Sequence, residues 1–351
     1  MKGALTSLLL VAACGAEPVD PTAARTFEFG PFAMQPGEEL TDLCVAATLD
    51  NDEPMYINAV EMNGALGIHH SNWFWVPDNL AFNFPDGAWN CSDGGGVGHP
   101  FTQEAAGFFG GVLFAQSTQA THEVQAFPTG AAIRVPPHSR VIATVHLLNL
   151  GDDSLTVPLS LTLRPIAEQD AEKVLVGFVM MNESIALPPL KASKFTVECD
   201  LAPQWKMLYD QGRVASETID IKLYHALSHY HSLGTGLTFE ALRDGDGGGE
   251  MVWETNTRIG GDKLGGMLDP PFDLAGHSKL RFSCSFDNTR DTTVTWGNGD
   301  GEMCIMFGFS DSPYVWSAGV VTGGNPGPSA EVNGVTEFTA TGCTVLAVEA
   351  K

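Results

Sequence analysis

Five of the ten histidines stand in arrangements that suit metal ligation. His229 and His231 are two apart in a run that alternates over 219–231. Alternation places Leu223, His225, Leu227, His229 and His231 on one face of a strand, so His229 and His231 project side by side. His146 lies on a strand whose other face carries Val141, Ala143, Val145 and Leu147, so an apolar face anchors it and one imidazole is presented opposite. His69 and His70 are adjacent, and neighbours in a regular strand point to opposite faces. Both reach one ion only at a bend, which Gly67 permits. His225 shares the face of His229 and is read as an ordinary hydrogen-bonded histidine, with a ligand or acid–base role as the alternative. His99, His122, His138 and His277 adjoin Gly, Pro or Thr and are read as surface loop residues.

Neither pair is specific by itself. With ten histidines in 351 residues, chance supplies roughly 0.3 His-His pairs and about as many His-x-His pairs, so the weight rests on their combination and order. Other chemistries fail on their motifs. A P-loop and a GxSxG elbow are both missing. Asp244-Gly245-Asp246 opens like a calcium loop, but Gly248 and Thr255 occupy ligand positions. The glycine runs 94–96 and 247–249 are read as surface turns. The chain carries 18 basic against 42 acidic residues, a net charge of −24. No Lys or Arg occurs between Arg25 and Arg134, which excludes a nucleic-acid-binding face there. The acidic balance is read as a solvated surface.

The elements that must position these residues are short strands. Apolar residues make up 44% of the chain, with 39 Gly, 21 Pro and 17% charged residues, which favours strands and turns and excludes a disordered chain. Strands are expected over 140–148, 159–163, 174–180, 219–231, 280–286 and 303–309. No 12-residue stretch has a convincing helical period, and no solenoid-type internal repeat is present. A charged break at 167–173 divides the chain into domains at 27–166 and 174–351. The spacing predicts an all-β protein of two consecutive antiparallel β-sandwiches, jelly-roll-like in kind.

Lys2 and the apolar stretch 8–13 read as an export signal too short to span a bilayer. Leu10-Val11-Ala12-Ala13-Cys14 resembles a bacterial lipoprotein cleavage box, which implies lipidation at Cys14, removal of the signal at 1–14 and a tether over 15–26. Gly15 after the cysteine points to the outer membrane by the same resemblance. The alternative is an ordinary cleaved signal with Cys14 incidental. Six cysteines remain: Cys44, Cys91, Cys199, Cys284, Cys304 and Cys343. An even number in an exported chain favours three disulfides, with fifteen possible pairings.

In order, the chain has His69-His70, Val145-His146, His229-Tyr230-His231-Ser232-Leu233-Gly234 and Glu302-Met303-Cys304. This series resembles the type 2 copper monooxygenases, the family of peptidylglycine α-hydroxylating monooxygenase and dopamine β-monooxygenase, over roughly residues 27–347. The resemblance implies one copper on His69, His70 and His146 in the first domain, and a second on His229, His231 and Met303 in the other. It implies that dioxygen meets the second copper, that the first supplies an electron, and that ascorbate or another reductant feeds both. It places the two sites across a solvent-filled cleft. It also implies the pairs Cys44–Cys91, Cys199–Cys343 and Cys284–Cys304. Three imidazoles suit copper or zinc, whereas two imidazoles with a thioether favour Cu(I).

The peptide-amidating members hold a substrate carboxylate with Arg, Asn and Tyr. Here those positions are Leu227, Ile305 and Phe307, which implies a small apolar substrate. Thr144 stands where those enzymes have Gln. The expected activity is C–H hydroxylation by an exported dicopper enzyme, with a membrane lipid anchor. A copper-binding surface lipoprotein without turnover is the alternative, and a zinc hydrolase on the three-histidine site the weaker third, since it leaves Met303 without purpose.

Overall fold

The computed structural model describes residues 20, 22–79, 82–116, 120–245, 248–258, 264–297, 300–321, 323 and 326–350. The export signal and Cys14 lie outside the described residues, as does most of the tether. Among the described residues the protein is built almost wholly of strands. The run over 140–148 becomes the strand Ser139–Leu148, central in a five-stranded sheet. Its order is Gly87–Asn90, Glu39–Thr48, Ser139–Leu148, Ile68–Pro77, Gly111–Ala115. Val141, Ala143, Val145 and Leu147 all point into one core, where Val45, Trp73, Leu159, Leu161 and Leu163 meet them. Each large apolar side chain buried this way contributes about 1.5–3 kcal/mol. The facing layer holds Arg25–Met34, Leu155–Ile166, Met55–Asn63 and Ala131–Val135.

The second half repeats the arrangement. A six-stranded sheet runs Gly249–Thr255, Gly234–Leu242, Lys279–Asn288, Lys191–Asp200, Val335–Ala340, Ser329–Val332. Against it lie Lys173–Asn182, Ile305–Ser310, Lys222–His229 and Gly265–Asp273, enclosing a core that includes Phe178, Phe195, Phe239, Phe282 and Trp316. The segment 167–172 carries only a short 3-10 turn, Glu168–Asp170, before the next strand begins. The two halves are not independent sheets. Lys173 pairs with Ala131 and Leu175 with Ile133, so the facing layers of both halves fuse into one eleven-stranded sheet. The first core also takes in Tyr224 and Phe309 from the second half.

Several expectations need correction. Lys173–Asn182 runs parallel to both Ala131–Val135 and Tyr314–Val320, and Lys191–Asp200 runs parallel to Val335–Ala340. These partners are joined by crossovers through other strands and not by hairpins, so antiparallel pairing is not imposed. Two short helices form, Gln103–Phe109 and Ala202–Asp210. The first is capped by Thr102, whose Oγ1 accepts from the Ala105 N–H at 3.2 Å, and the second has Pro203 in its first turn. At seven and nine residues, both fall below the window in which a helical period is visible. The strand expected over 219–231 is Lys222–His229, and that expected over 303–309 is Ile305–Ser310.

Three disulfides form, Cys44–Cys91, Cys199–Cys343 and Cys284–Cys304, the pairings implied by the resemblance. Three such bonds mark an exported protein. No helix among the described residues is long and apolar enough to cross a membrane. Cys44–Cys91 closes a separation of 47 residues and ties the edge strand Gly87–Asn90 to the sheet. The Cys44→Ala/Cys91→Ala variant is expected to lose about 2–5 kcal/mol in urea unfolding. An unchanged midpoint would show that strand pairing alone holds this edge.

Candidate metal centre

The adjacency of His69 and His70 is resolved by a bulge. Ile68 pairs with Leu147 and His70 with His146, so two residues on one strand face one on the other, and His69 is the extra residue. A bulge of this kind re-aims a side chain and lets neighbours turn to the same side. Gly67, at φ +100°, begins the bend. The result brings three imidazoles together. The His69 and His146 rings stack with centroids 4.5 Å apart, and His70 meets His146 at 5.0 Å. Nδ1 of His69 lies 3.1 Å from Nδ1 of His70.

A second bulge acts on the other half. Leu223 pairs with Ser310 and His225 with Phe309, leaving Tyr224 extra. This separates Leu223 from the face that simple alternation gives it. Leu223, Ala226 and Tyr230 enter the second core, while His225, Leu227 and His229 turn toward the first half. The strand ends at His229, and His231 follows in the turn. Both imidazoles are oriented through Nδ1. That of His229 donates to the Gln116 carbonyl of the first half at 3.3 Å, and that of His231 to the Gly301 carbonyl at 2.9 Å. A carbonyl only accepts, so each Nδ1 carries the proton and each Nε2 keeps its lone pair. Nε2 of His231 is buried with no partner.

These imidazoles meet across the boundary between the halves. His70 lies 5.2 Å from His229 and 5.9 Å from His231 by ring centroids, and His69 lies 5.4 Å from His231. The sites are therefore not separated by a wet gap, as the resemblance implies, but pack as one buried cluster. The physical reason is the fused sheet and shared core, which hold the two halves face to face. Two sets of three ring nitrogens lie within 4.8 Å of one another: His69, His70 and His146, and His70, His229 and His231. Met303 is half-buried. His229 pairs with Ile305, two residues beyond Met303, and the pairing ends there.

The surroundings hold the cluster in place. Glu302 is buried, and its carboxylate accepts from the backbone N–H groups of His231 (2.8 Å), Leu233 (2.6 Å) and Met303 (3.3 Å). Burial nevertheless raises its pKa to about 7. Glu39 lies 2.7 Å from Nε2 of His146, which leaves Nδ1 of that ring for a ligand. Gln116 is itself fixed by Ser71, whose Oγ donates to Oε1 at 2.7 Å. None of Glu39, Gln116 or Gly301 carries a local sequence signal. Glu302 does stand beside Met303 in the motif, but its acceptor role depends on the turn after His229.

Burial lowers the pKa of every imidazole in the cluster. His69 falls to about 3, from burial and then from His146 and His231, and His229 falls to about 3 from burial and then His231. His70 lies well below the ordinary value, again from burial first. His146 is lowered by burial against the opposing pull of Glu39. Uncharged imidazoles with free lone pairs, one of them orphaned in the interior, fit a borderline metal such as copper or zinc, and a thioether joining His229 and His231 would favour Cu(I).

Leu227 and Ile305 are buried, while Phe307 is half-buried with its ring 6.1 Å from that of His229. Leu227 pairs with Phe307, and Ile305 with His229, so all three share the face of His229. Thr144 is half-buried opposite Asn72 and Cys44. His225 does not join the cluster. It lies between Phe127 and Phe309, at ring separations of 6.1 and 6.2 Å, and its Nδ1 has no partner. The hydrogen-bonded reading of that nitrogen is thus corrected, and burial lowers this pKa to about 4. His99, His122 and His138 are exposed as expected, although His122 opens the strand His122–Ala126. His277 is buried, not on the surface: its ring packs 5.7 Å from Phe272 and its Nε2 lies 3.1 Å from Glu250. Gly94–Gly96 forms a 3-10 turn, and Gly247 lies outside the described residues.

No family model matches the chain, and no curated protein does. Among solved structures it is similar to the major capsid protein P2 of bacteriophage PM2, at 8% identity and a TM-score of 0.33 over 82% of this chain and 97% of that one. It is also similar to a triple jelly-roll protein of an archaeal virus, at 7% identity and a TM-score of 0.20 over 79% of this chain and 58% of that one. Likeness at this level carries no argument about what the protein does.

The lowered imidazole pKa values set a pH dependence. Each such histidine is neutral when folded and takes up a proton when unfolded below the ordinary value of 6.5. Stability is therefore full above pH 6.5 and falls as pH drops toward 4, where the unfolded chain binds more protons. Urea midpoints of the metal-free protein measured from pH 7.5 to 4 are expected to decline steadily below 6.5. A flat profile would contradict a cluster held uncharged.

Proposed function

We propose that the protein is an exported dicopper monooxygenase that hydroxylates a C–H bond of a small apolar substrate with dioxygen and an external reductant such as ascorbate. The proposal includes a lipid anchor at Cys14 in a bacterial outer membrane. One observation carries it: His69, His70, His146, His229 and His231, far apart along the chain, gather into two buried sets of three ligand nitrogens that share His70. Copper held there supplies one-electron redox chemistry and activation of dioxygen.

The chain's own residues do the remaining work. The Gln116 and Gly301 carbonyls hold protons on Nδ1 of His229 and His231, fixing which nitrogen faces a ligand. Glu39 does the same for His146. Glu302 ties the turn carrying His231 to the segment carrying Met303. Burial excludes water and keeps the imidazoles neutral. Leu227, Ile305 and Phe307 give an apolar wall beside His229, which suits a hydrocarbon and offers no charge to a carboxylate.

Copper-reconstituted mature protein is expected to show ascorbate-dependent oxygen uptake with members of a panel of small apolar substrates. Met303→Ile is expected to keep the wild-type unfolding midpoint and lose turnover by at least about 100-fold, the upper end of what outer-shell changes cost. Tightly bound copper without substrate-dependent oxygen uptake would replace the enzyme with a copper-binding surface lipoprotein. Unchanged turnover in Met303→Ile would remove the thioether from the account.

A further inference from the structure

The two three-nitrogen sets have one member in common. His70 belongs to the set with His69 and His146 and also to the set with His229 and His231. The first set lies wholly within the first half of the chain. The second does not, because His70 comes from the strand Ile68–Pro77, whereas His229 ends the strand Lys222–His229 and His231 follows it. We propose that a metal ion is held by His70, His229 and His231 together, so that one ion clamps the two halves to each other.

This inference rests on the metal-centre reading of the cluster but not on any turnover. Three features of the structure carry it. The ligand nitrogens of the three residues lie within 4.8 Å of one another, and all three side chains are buried. Nε2 of His231 is solvent-excluded and unpartnered, and unlike the unpartnered nitrogens of His225 and His277 it belongs to a ring packed among other imidazoles. The second half is already oriented toward the first at this point, because His229 donates to the Gln116 carbonyl across the boundary. Replacing the missing partner of His231 with an ion adds a strong bond where the halves otherwise meet through the parallel pairing of Lys173–Leu175 with Ala131–Ile133 and the shared core around Phe127 and Phe309. The third nitrogen also suits redox-inert zinc, which two imidazoles and a thioether favour less.

The test uses zinc, so that oxygen chemistry plays no part. The His69→Ala/His146→Ala variant removes the first set and leaves the spanning set whole. It is expected to bind one zinc ion by calorimetry and, on loading, to slow amide hydrogen exchange in both 68–77 and 222–231. Adding His70→Ala is expected to weaken that ion by more than about tenfold, the least that even outer-shell partners cost. Zinc affinity indifferent to His70, or protection confined to 222–231, would overturn the proposal while leaving the monooxygenase reading intact. If the double variant does not fold, His70→Ala alone decides through amide exchange: loss of the zinc-induced protection in 222–231 upholds the clamp, and protection of 222–231 kept at the wild-type level overturns it. A wild-type chain that binds no zinc or copper would overturn both.

Discussion

Five imidazoles packed at ring separations of 4.5 to 5.9 Å can share a buried space only while uncharged. Much of the surrounding structure serves that constraint. All five side chains are buried. Three of the five rings have a fixed acceptor for one nitrogen, Glu39 for His146, the Gln116 carbonyl for His229 and the Gly301 carbonyl for His231. What remains is a concentration of lone pairs, with one proton held between Nδ1 of His69 and Nδ1 of His70. That arrangement costs the fold stability in acid, where the unfolded chain takes up more protons.

Backbone irregularities make the convergence possible. Regular pleating sends His69 and His70 to opposite faces, and the inserted residue opposite His146 prevents that. The extra Tyr224 moves Leu223 into the second core and turns His225, Leu227 and His229 toward the first half. The fused eleven-stranded sheet then sets the distance between the two ligand-bearing halves. Because Lys173–Asn182 is hydrogen-bonded to strands of both halves, the boundary that composition marks at 167–173 is a change of core within one continuous sheet.

The strands that carry His146 and His229 were legible from alternation, because burial on one face writes period two directly into the residues. The disulfide partners were legible only through the resemblance, since spacing leaves fifteen pairings open. The bulges were not legible: an extra residue is defined by the partner strand, and that partner lies about 75 residues from His69 in sequence. Nor were the carbonyls of Gln116 and Gly301, because every residue has a carbonyl. His277 was misread for a related reason. Its neighbours Gly276 and Ser278 look like loop, yet the loop folds the ring onto Phe272 and against Glu250.

The acidic surface of this chain is the main competitor for any cation, since a net charge of −24 can hold copper loosely through carboxylates. X-ray absorption at the copper edge of the loaded, dialysed protein separates the two cases. The buried cluster predicts spectra dominated by imidazole scattering, with a sulfur neighbour appearing on reduction as Met303 engages. A spectrum of oxygen ligands alone, unchanged by reduction, would place the metal on the surface and contradict the account.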